Sequence, residues 1–313
     1  MPIDEVEYIW MNGKLIPWGD AKIHVLSHVI HYGSALFEGI RCYKTPDGPA
    51  VFRLPEHIKR LQNSCKIYRM EPQWSQAELE RAVLDTVRVN GFKSCYIRPV
   101  VFRGYDSLTL DPRPCPVEAA VIVWEWNQMM GADALEKGID VGVSSWTRLA
   151  PNTLPALAKG SANYANSALI KMQAMLDGYA DAVALDESGL LSEGSGQNLF
   201  LVRDNAIYTP GIGSSVLQGI TRDTVLTLAK DLGFEVKETS IPREFLYLAD
   251  EAFFCGTAVE ITPVRSFDKI TVGTGKRGPI TEALQQRFFA ILRGDHEDSH
   301  GWLTPVGLTV SSR

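Results

Sequence analysis

The chain has no stretch long and apolar enough to cross a bilayer. Its longest strongly apolar run is Ala119 to Trp124, against the roughly 20 residues that a membrane helix needs. It also lacks any block rich in Lys and Arg. These total 31 against 37 for Asp and Glu, a net charge of −6, so neither a nucleic-acid partner nor an anionic membrane surface is expected. Cysteine is sparse: Cys42, Cys65, Cys95, Cys115 and Cys255 are odd in number, scattered, and never spaced as C-x-x-C. That pattern excludes a zinc ribbon and argues for a reducing compartment. The acidic start, Met1-Pro2-Ile3-Asp4-Glu5-Val6-Glu7, has neither the basic nor the apolar segment of a signal peptide. A cytoplasmic location is expected.

What is present is an ordinary globular balance, 45% hydrophobic and 22% charged over 313 residues. A chain of this length suggests about two domains of roughly 150 residues each. Asn12-Gly13 lies between two short apolar runs and reads as a hairpin turn. Apolar periodicity predicts helices from Pro55 through Ile58, Leu61 and Cys65, and over 78–89. Continuous apolar runs over 94–102 and 117–126 read as buried strands, separated by a proline-rich loop over 111–116. After Trp126 the character changes. Residues 127–131 read as a linker, and strands are expected over 139–145, 181–185, 198–202, 206–208, 251–255 and 264–267. An irregular stretch over 148–161 and helices over 163–176, 221–232, 243–248 and 281–292 complete the pattern. Runs of short strands mixed with helices favour an α+β fold over a doubly wound sheet.

Three motifs invite a functional reading and fail on context. Gly273-Thr274-Gly275-Lys276-Arg277-Gly278 has dinucleotide spacing, but only one helix and a polar tail follow it, so a connecting loop is the better reading. His296-Glu297-Asp298-Ser299-His300 spells H-E-x-x-H within a polar stretch bracketed by Gly294 and Gly301, with no helix to align the imidazoles. His24, His28 and His31 have helical spacing but no neighbouring carboxylate, and read as satisfied core or loop histidines. No metal is expected. An NAD dehydrogenase or a zinc hydrolase would have to rest on these motifs.

A second group of segments carries chemistry. Lys159 stands among small residues in Pro155-Ala156-Leu157-Ala158-Lys159-Gly160-Ser161-Ala162, ahead of a helix. An apolar setting lowers an ammonium pKa toward a usable nucleophile, and a surface lysine is the plainer reading. Gln218-Gly219-Ile220-Thr221-Arg222-Asp223 opens a helix, as an anion site or as a simple threonine cap. Glu193 leads a Gly-Ser turn into a strand, and Gly256-Thr257-Ala258 ends another with exposed backbone N–H groups. Alternation places Tyr96 and Arg98 on one face of an apolar strand. Buried there, Arg98 needs either a structural acid or a substrate carboxylate.

Taken together these segments resemble the branched-chain amino acid aminotransferases, class IV enzymes of pyridoxal-phosphate fold-type IV. The resemblance runs nearly the whole chain. It takes in His31-Tyr32-Gly33 to Phe37-Glu38-Gly39-Ile40-Arg41, Tyr96-Ile97-Arg98-Pro99, Ser144-Ser145-Trp146 and Ala158-Lys159, and continues through Asn163-Tyr164, Glu193-Gly194-Ser195-Gly196, Gly219 to Asp223 and Gly256-Thr257-Ala258. It implies a small α+β domain over 1–126, an interdomain loop over 127–136 and a larger pseudo-barrel domain over 137–313, assembled at least as a homodimer. It implies transamination of branched-chain L-amino acids with 2-oxoglutarate, Lys159 holding pyridoxal phosphate as a Schiff base and shuttling the proton. Glu193 would pair with the ring nitrogen and Tyr164 with the ring hydroxyl. Arg60, Gly219, Ile220, Thr221, Gly256 and Thr257 would hold the phosphate end. Tyr96 and the Thr257-Ala258 turn would take the α-carboxylate, Tyr32 and Arg98 the second carboxylate of glutamate, and Phe37, Gly39 and Trp126 the apolar side chain.

Three positions depart from the family pattern: Gln197 replaces a Glu, Ser107-Leu108-Thr109 replaces a Gly-x-Gly loop, and Met129 replaces a Tyr at the substrate pocket. Within the same fold, a D-amino acid or (R)-amine transaminase or an aminodeoxychorismate lyase would share the cofactor. Arg98 favours the L-branched-chain type.

Overall fold

The computed structural model describes residues 3–126 and 133–307. Met129 lies outside them. The described residues pack as two compact units, one of residues 3–126, 158–162 and 291–307, the other of 133–157 and 163–290.

In the first unit β1 (Tyr8–Met11) and β2 (Lys14–Pro17) form the expected hairpin, its turn made by Asn12 at φ 49° and Gly13 at φ 92°. Helix α1 (His28–Tyr32) precedes β3 (Ala35–Phe37), β4 (Ile40–Thr45) and β5 (Gly48–Phe52). Helices α2 (Leu54–Ile67) and α3 (Gln76–Val89) come next, then β6 (Cys95–Arg103) and β7 (Val117–Trp124). Pro55 sits in the first turn of α2, where its missing N–H costs nothing. A capping box starts α3, with Ser75 accepting from Glu78 N and Glu78 Oε2 from Ser75 N. Leu54, Ile58, Leu61 and Cys65 bury one stripe of α2 in the core with Ile40, Val51, Ile97, Val101 and Val121. At the centre of the sheet β6 pairs with β7 from Tyr96↔Trp124 to Arg103↔Val117, and with β3 and β4. Ile97 and Val101 point into that core; alternation turns Tyr96 and Arg98 to the opposite face.

Two later segments join this unit, although chain order places them with the second. Leu36 and Gly160 form an antiparallel bridge, with Phe37 N–H donating to the Lys159 carbonyl at 3.1 Å and Ser161 N–H to Ala35 at 2.8 Å. Residues 158–162 are thus laced to β3 by backbone hydrogen bonds.

The second unit holds α4 (Ala134–Lys137), β8 (Ile139–Val143), α5 (Asn163–Leu176), β9 (Asp181–Leu185), β10 (Leu191–Gly194), β11 (Asn198–Arg203) and β12 (Ala206–Pro210). It continues with α6 (Ile220–Asp231), β13 (Glu235–Thr239), β14 (Glu251–Gly256), β15 (Glu260–Phe267), β16 (Ile270–Thr271) and most of α7 (Pro279–Arg293). Residues 243–248, expected as a helix, form a 3-10 helix. Among the described residues the strand order is β10-β9-β8-β15-β14-β11-β12-β13, with β8 parallel to both neighbours, β12 parallel to β13 and the other pairs antiparallel. Strand β17 (Leu303–Pro305) returns to the first unit and pairs with β5. The architecture is α+β.

Candidate active site

The chemistry-bearing residues of the first unit gather around β3, β6 and α2. The carbonyl of Lys159 is held by β3, its N–H donates to Ser64 Oγ at 3.1 Å, and its Nζ lies 5.1 Å from the centroid of the Phe37 ring. The next residue must be small, since a Cβ on Gly160 would stand 2.9 Å from Tyr68 Oη. The same holds at Gly39, where a Cβ would fall 2.0 Å from Tyr96 Oη. A side chain at 39 would displace the Tyr96 hydroxyl. The Tyr96 ring stacks on Trp126 at 4.5 Å and packs against Trp124 at 4.9 Å.

Arg98 has no ion pair with a carboxylate among the described residues. Its guanidinium sits over three rings instead, 4.5 Å from Phe37 and 5.7 Å from each of Tyr96 and Trp124, and its buried Nε has no hydrogen-bond partner among the described residues. Tyr32, expected beside it, is 43% exposed and donates to the Leu108 carbonyl at 2.9 Å. Within the chain its ring packs on His28 and His31, at 4.6 and 6.3 Å.

Arg60 meets a partner that the sequence reading passed over. Glu38, wholly buried, accepts from Arg60 Nε at 2.6 Å and Nη2 at 2.8 Å, and from His57 Nδ1 at 2.7 Å. Burial pushes the Glu38 carboxyl up, but the Arg60 charge and the hydrogen bonds from Arg60 and His57 outweigh it and hold the group well below the carboxylate range. Burial lowers the His57 pKa, and the charges of Arg60 and Lys159 act the same way against the opposing pull of Glu38. Neutral His57 then carries its proton on Nδ1, because an ionised carboxylate can only accept.

In the second unit Glu193 is also buried, and three N–H donors converge on its carboxylate. Arg148 Nη2 reaches Oε1 at 2.7 Å; Asn198 Nδ2 and the Leu217 N–H reach Oε2 at 3.0 Å. Asn198 Nδ2 also donates to the Leu217 carbonyl, and its Oδ1 stands 2.0 Å from where a Cβ on Gly219 would be. Only glycine fits there. Gly219 is the N-cap of α6 and offers no side-chain cap, so the first N–H groups of the helix, at Ile220 and Thr221, lack a capping side chain. Helix α7, preceded by the Gly273–Gly278 loop, differs: Glu251 accepts from Ile280 N at 2.9 Å and Thr281 N at 2.8 Å. One helix start is sealed by the protein's own carboxylate, the other presents donors suited to an external anion.

A cavity of about 300 Å³ in this unit is lined by Tyr164, Gly256 and Ala258 together with Gln197, Lys171 and Asp181. Thr257 lies in the turn between β14 and β15, closed by Val259 N–H to the Gly256 carbonyl at 3.2 Å. A buried carboxylate ringed by N–H donors and an uncapped helix start fit the ring nitrogen and phosphate of pyridoxal phosphate.

The discarded motifs take structural places. His28 bonds Ser34 Oγ and the Thr109 carbonyl through its two ring nitrogens, His31 bonds the Val25 carbonyl, and His24 packs on Tyr105. Residues 296–300 form no helix, and Asp298 caps Trp302 N and Leu303 N. No cluster of potential metal ligands occurs among the described residues.

Residues 35–267 match the family model for amino-transferase class IV. The branched-chain-amino-acid aminotransferase of Salmonella typhimurium is 50% identical over 307 residues, covering 98% of this chain and 99% of that protein. The crystal structure of the Escherichia coli branched-chain amino acid aminotransferase superposes with a TM-score of 0.95 at 49% identity, over 97% of this chain and 100% of that one. The T.th. branched-chain amino acid aminotransferase complexed with N-(5'-phosphopyridoxyl)-L-glutamate superposes with a TM-score of 0.92 at 46% identity, over 97% and 99% of the two chains. The chain belongs to the class IV aminotransferases, a family of pyridoxal-phosphate-dependent transferases.

Proposed function

We propose that this protein interconverts branched-chain L-amino acids and their 2-oxo acids, with 2-oxoglutarate and L-glutamate as the other pair. The observation that carries the dicarboxylate half is Arg98: a half-buried cation held by three aromatic faces, with no carboxylate partner among the described residues. The carboxylate that it lacks is the second one of glutamate. The same aromatic setting (Phe37, Trp126, and Gly39 kept bare by Tyr96) suits an aliphatic side chain. The T.th. relative, complexed with a phosphopyridoxyl-glutamate, supports the pairing.

In this reading bound pyridoxal phosphate supplies the electron sink for the carbanion at the substrate Cα. Lys159 Nζ anchors the cofactor and moves a proton between the substrate Cα and the cofactor C4′. Glu193, fixed by Arg148, Asn198 and the Leu217 N–H, keeps the ring nitrogen protonated. Tyr164 takes the ring hydroxyl. Arg60, Thr257 and the N–H groups after Gly219 hold the phosphate, with Gly256 keeping the turn open. Tyr96 and the Thr257-Ala258 turn orient the α-carboxylate.

We also assign a homodimer. Val25, Ile30, Tyr32, Tyr105 and Leu110 are exposed apolar residues of two segments joined by His28–Thr109 and Tyr32–Leu108 hydrogen bonds. A second copy covering that face removes it from water. No helix among the described residues is long and apolar enough to cross a membrane. The five cysteines, all buried and unpaired, suit a cytoplasmic, reducing setting.

The test is a transamination screen with 2-oxoglutarate as acceptor and leucine, isoleucine, valine, D-alanine or (R)-phenylethylamine as donor. Glutamate forms with the three branched-chain donors. Preference for D-alanine or the amine overturns the assignment.

A further inference from the structure

We propose that Glu38 and His57 are positioning residues for Arg60, and through it for the phosphate group of the cofactor. The proposal rests on the reading above that Arg60 binds that phosphate.

Arginine has a long, flexible stem, and a phosphate ligand is only as selective as its fork is fixed. Here the fork is gripped side-on. Arg60 Nε and Nη2 engage the two oxygens of Glu38 at 2.6 and 2.8 Å, which sets the guanidinium plane and turns its other terminal nitrogen away from the carboxylate. Glu38 itself has little room to move. It is 0% exposed, and its N–H donates to the Pro99 carbonyl of β6 at 2.9 Å. His57 closes the arrangement from the same helix, donating from Nδ1 to Glu38 Oε2 at 2.7 Å.

Stability alone is a poor reason for such a cluster, because a buried ion pair gains little over well-packed apolar residues of the same volume. What apolar residues could not do is hold a cation in one orientation. The spacing on α2 makes the same point. His57, Arg60 and Ser64 stand at i, i+3 and i+7, on one face of the helix, and Ser64 accepts from the Lys159 N–H at 3.1 Å. One helix face thus fixes the phosphate-seeking arginine and the lysine segment together.

The experiment compares the affinity of the apoenzyme for pyridoxal phosphate with that for pyridoxal, which lacks the phosphate, in wild type and in Arg60→Ala, Glu38→Gln and His57→Leu. The ratio of the two affinities isolates recognition of the phosphate, whereas a loss of general fold weakens both ligands alike. In Arg60→Ala the ratio is expected to fall at least tenfold. Glu38→Gln should lower it nearly as far with pyridoxal affinity kept, and His57→Leu several-fold. An unchanged ratio in Arg60→Ala overturns the phosphate reading of Arg60 and the proposal with it. A fall in Arg60→Ala with an unchanged or higher ratio in Glu38→Gln overturns the proposal alone. If Glu38→Gln does not fold, His57→Leu decides: an unchanged ratio there overturns it.

Discussion

Replacing Arg98 by Met separates a substrate-binding role from a structural one. Where a buried arginine is half of an ion pair, removing it strands the partner charge and costs about 3–5 kcal/mol. Arg98 has no carboxylate to strand among the described residues; it has three ring faces at 4.5, 5.7 and 5.7 Å. Those cation–π contacts are worth about 0.5–1 kcal/mol each. Losing them is partly offset because a thioether needs no desolvation and packs well on aromatic rings. Arg98→Met should therefore unfold within about 1.5 kcal/mol of wild type in urea. Catalysis with a dicarboxylate should suffer far more. Two hydrogen bonds from a guanidinium to a carboxylate, at about 1.5 kcal/mol each, sum to roughly 3 kcal/mol, or a 100- to 200-fold loss. The assay is kcat/KM for 2-oxoglutarate with leucine saturating, beside the single-turnover rate with leucine alone. The first should fall by that factor while the second stays within about threefold. An equal fall in both, or a destabilisation above about 3 kcal/mol, would refute the reasoning.

Borohydride reduction of the holoenzyme should place the cofactor adduct on Lys159 by peptide mass spectrometry, and Lys159→Ala should yield none; an adduct on another lysine contradicts the assignment. Glu193→Gln should retain the fold and bind cofactor but turn over orders of magnitude more slowly, since the lost charge acts mainly in the transition state. A fall of less than about fivefold, near 1 kcal/mol, would show that this carboxylate is not the ring partner. His57 has its pKa lowered below the ordinary 6.5, so below that pH the unfolded chain takes up a proton that the native state refuses. Stability should drop by at most about 1.4 kcal/mol per pH unit on this account between pH 6.5 and 5. Glu38, lowered from 4.5, adds its loss only at lower pH. Urea unfolding of His57→Leu at pH 6.5 and 5 should show the smaller difference; a slope equal to wild type removes His57 as the cause.

The α+β class was legible because helical and strand periodicities alternate clearly, and α3 even carries its capping box in the sequence. Strands β3, β4 and β5 were not. Gly39, Gly48 and Pro49 interrupt their patterns, and their order comes from the pairing of β3 and β4 with β6 and of β5 with β4 rather than from local propensity. The cofactor segments stood out because small residues and glycines mark close backbone approach, as Asn198 does to Gly219. Arg148, lying in a stretch with no periodicity, reaches Glu193 from 45 residues away, and no local signal announces that pair. Glu38 was in view within its motif, but its partners lie 19 and 22 residues on. Only the i, i+3 spacing of His57 and Arg60 hinted at a shared face.

The pairing of β17 with β5 bears on how the chain is made. Leu303 lies opposite Phe52, about 250 residues earlier. Until the ribosome reaches that point, the β5 edge of the first sheet has no cover, with its row of backbone donors and acceptors open to any other strand. At about 5–20 residues per second the wait is roughly 12 to 50 seconds. Lys159, laced to β3 by the bonds at Phe37 and Ser161, arrives well before the edge closes. The first sheet is therefore completed only when a strand made about 250 residues after β5 arrives, and a chain truncated before Leu303 would leave the tunnel with a sticky rim.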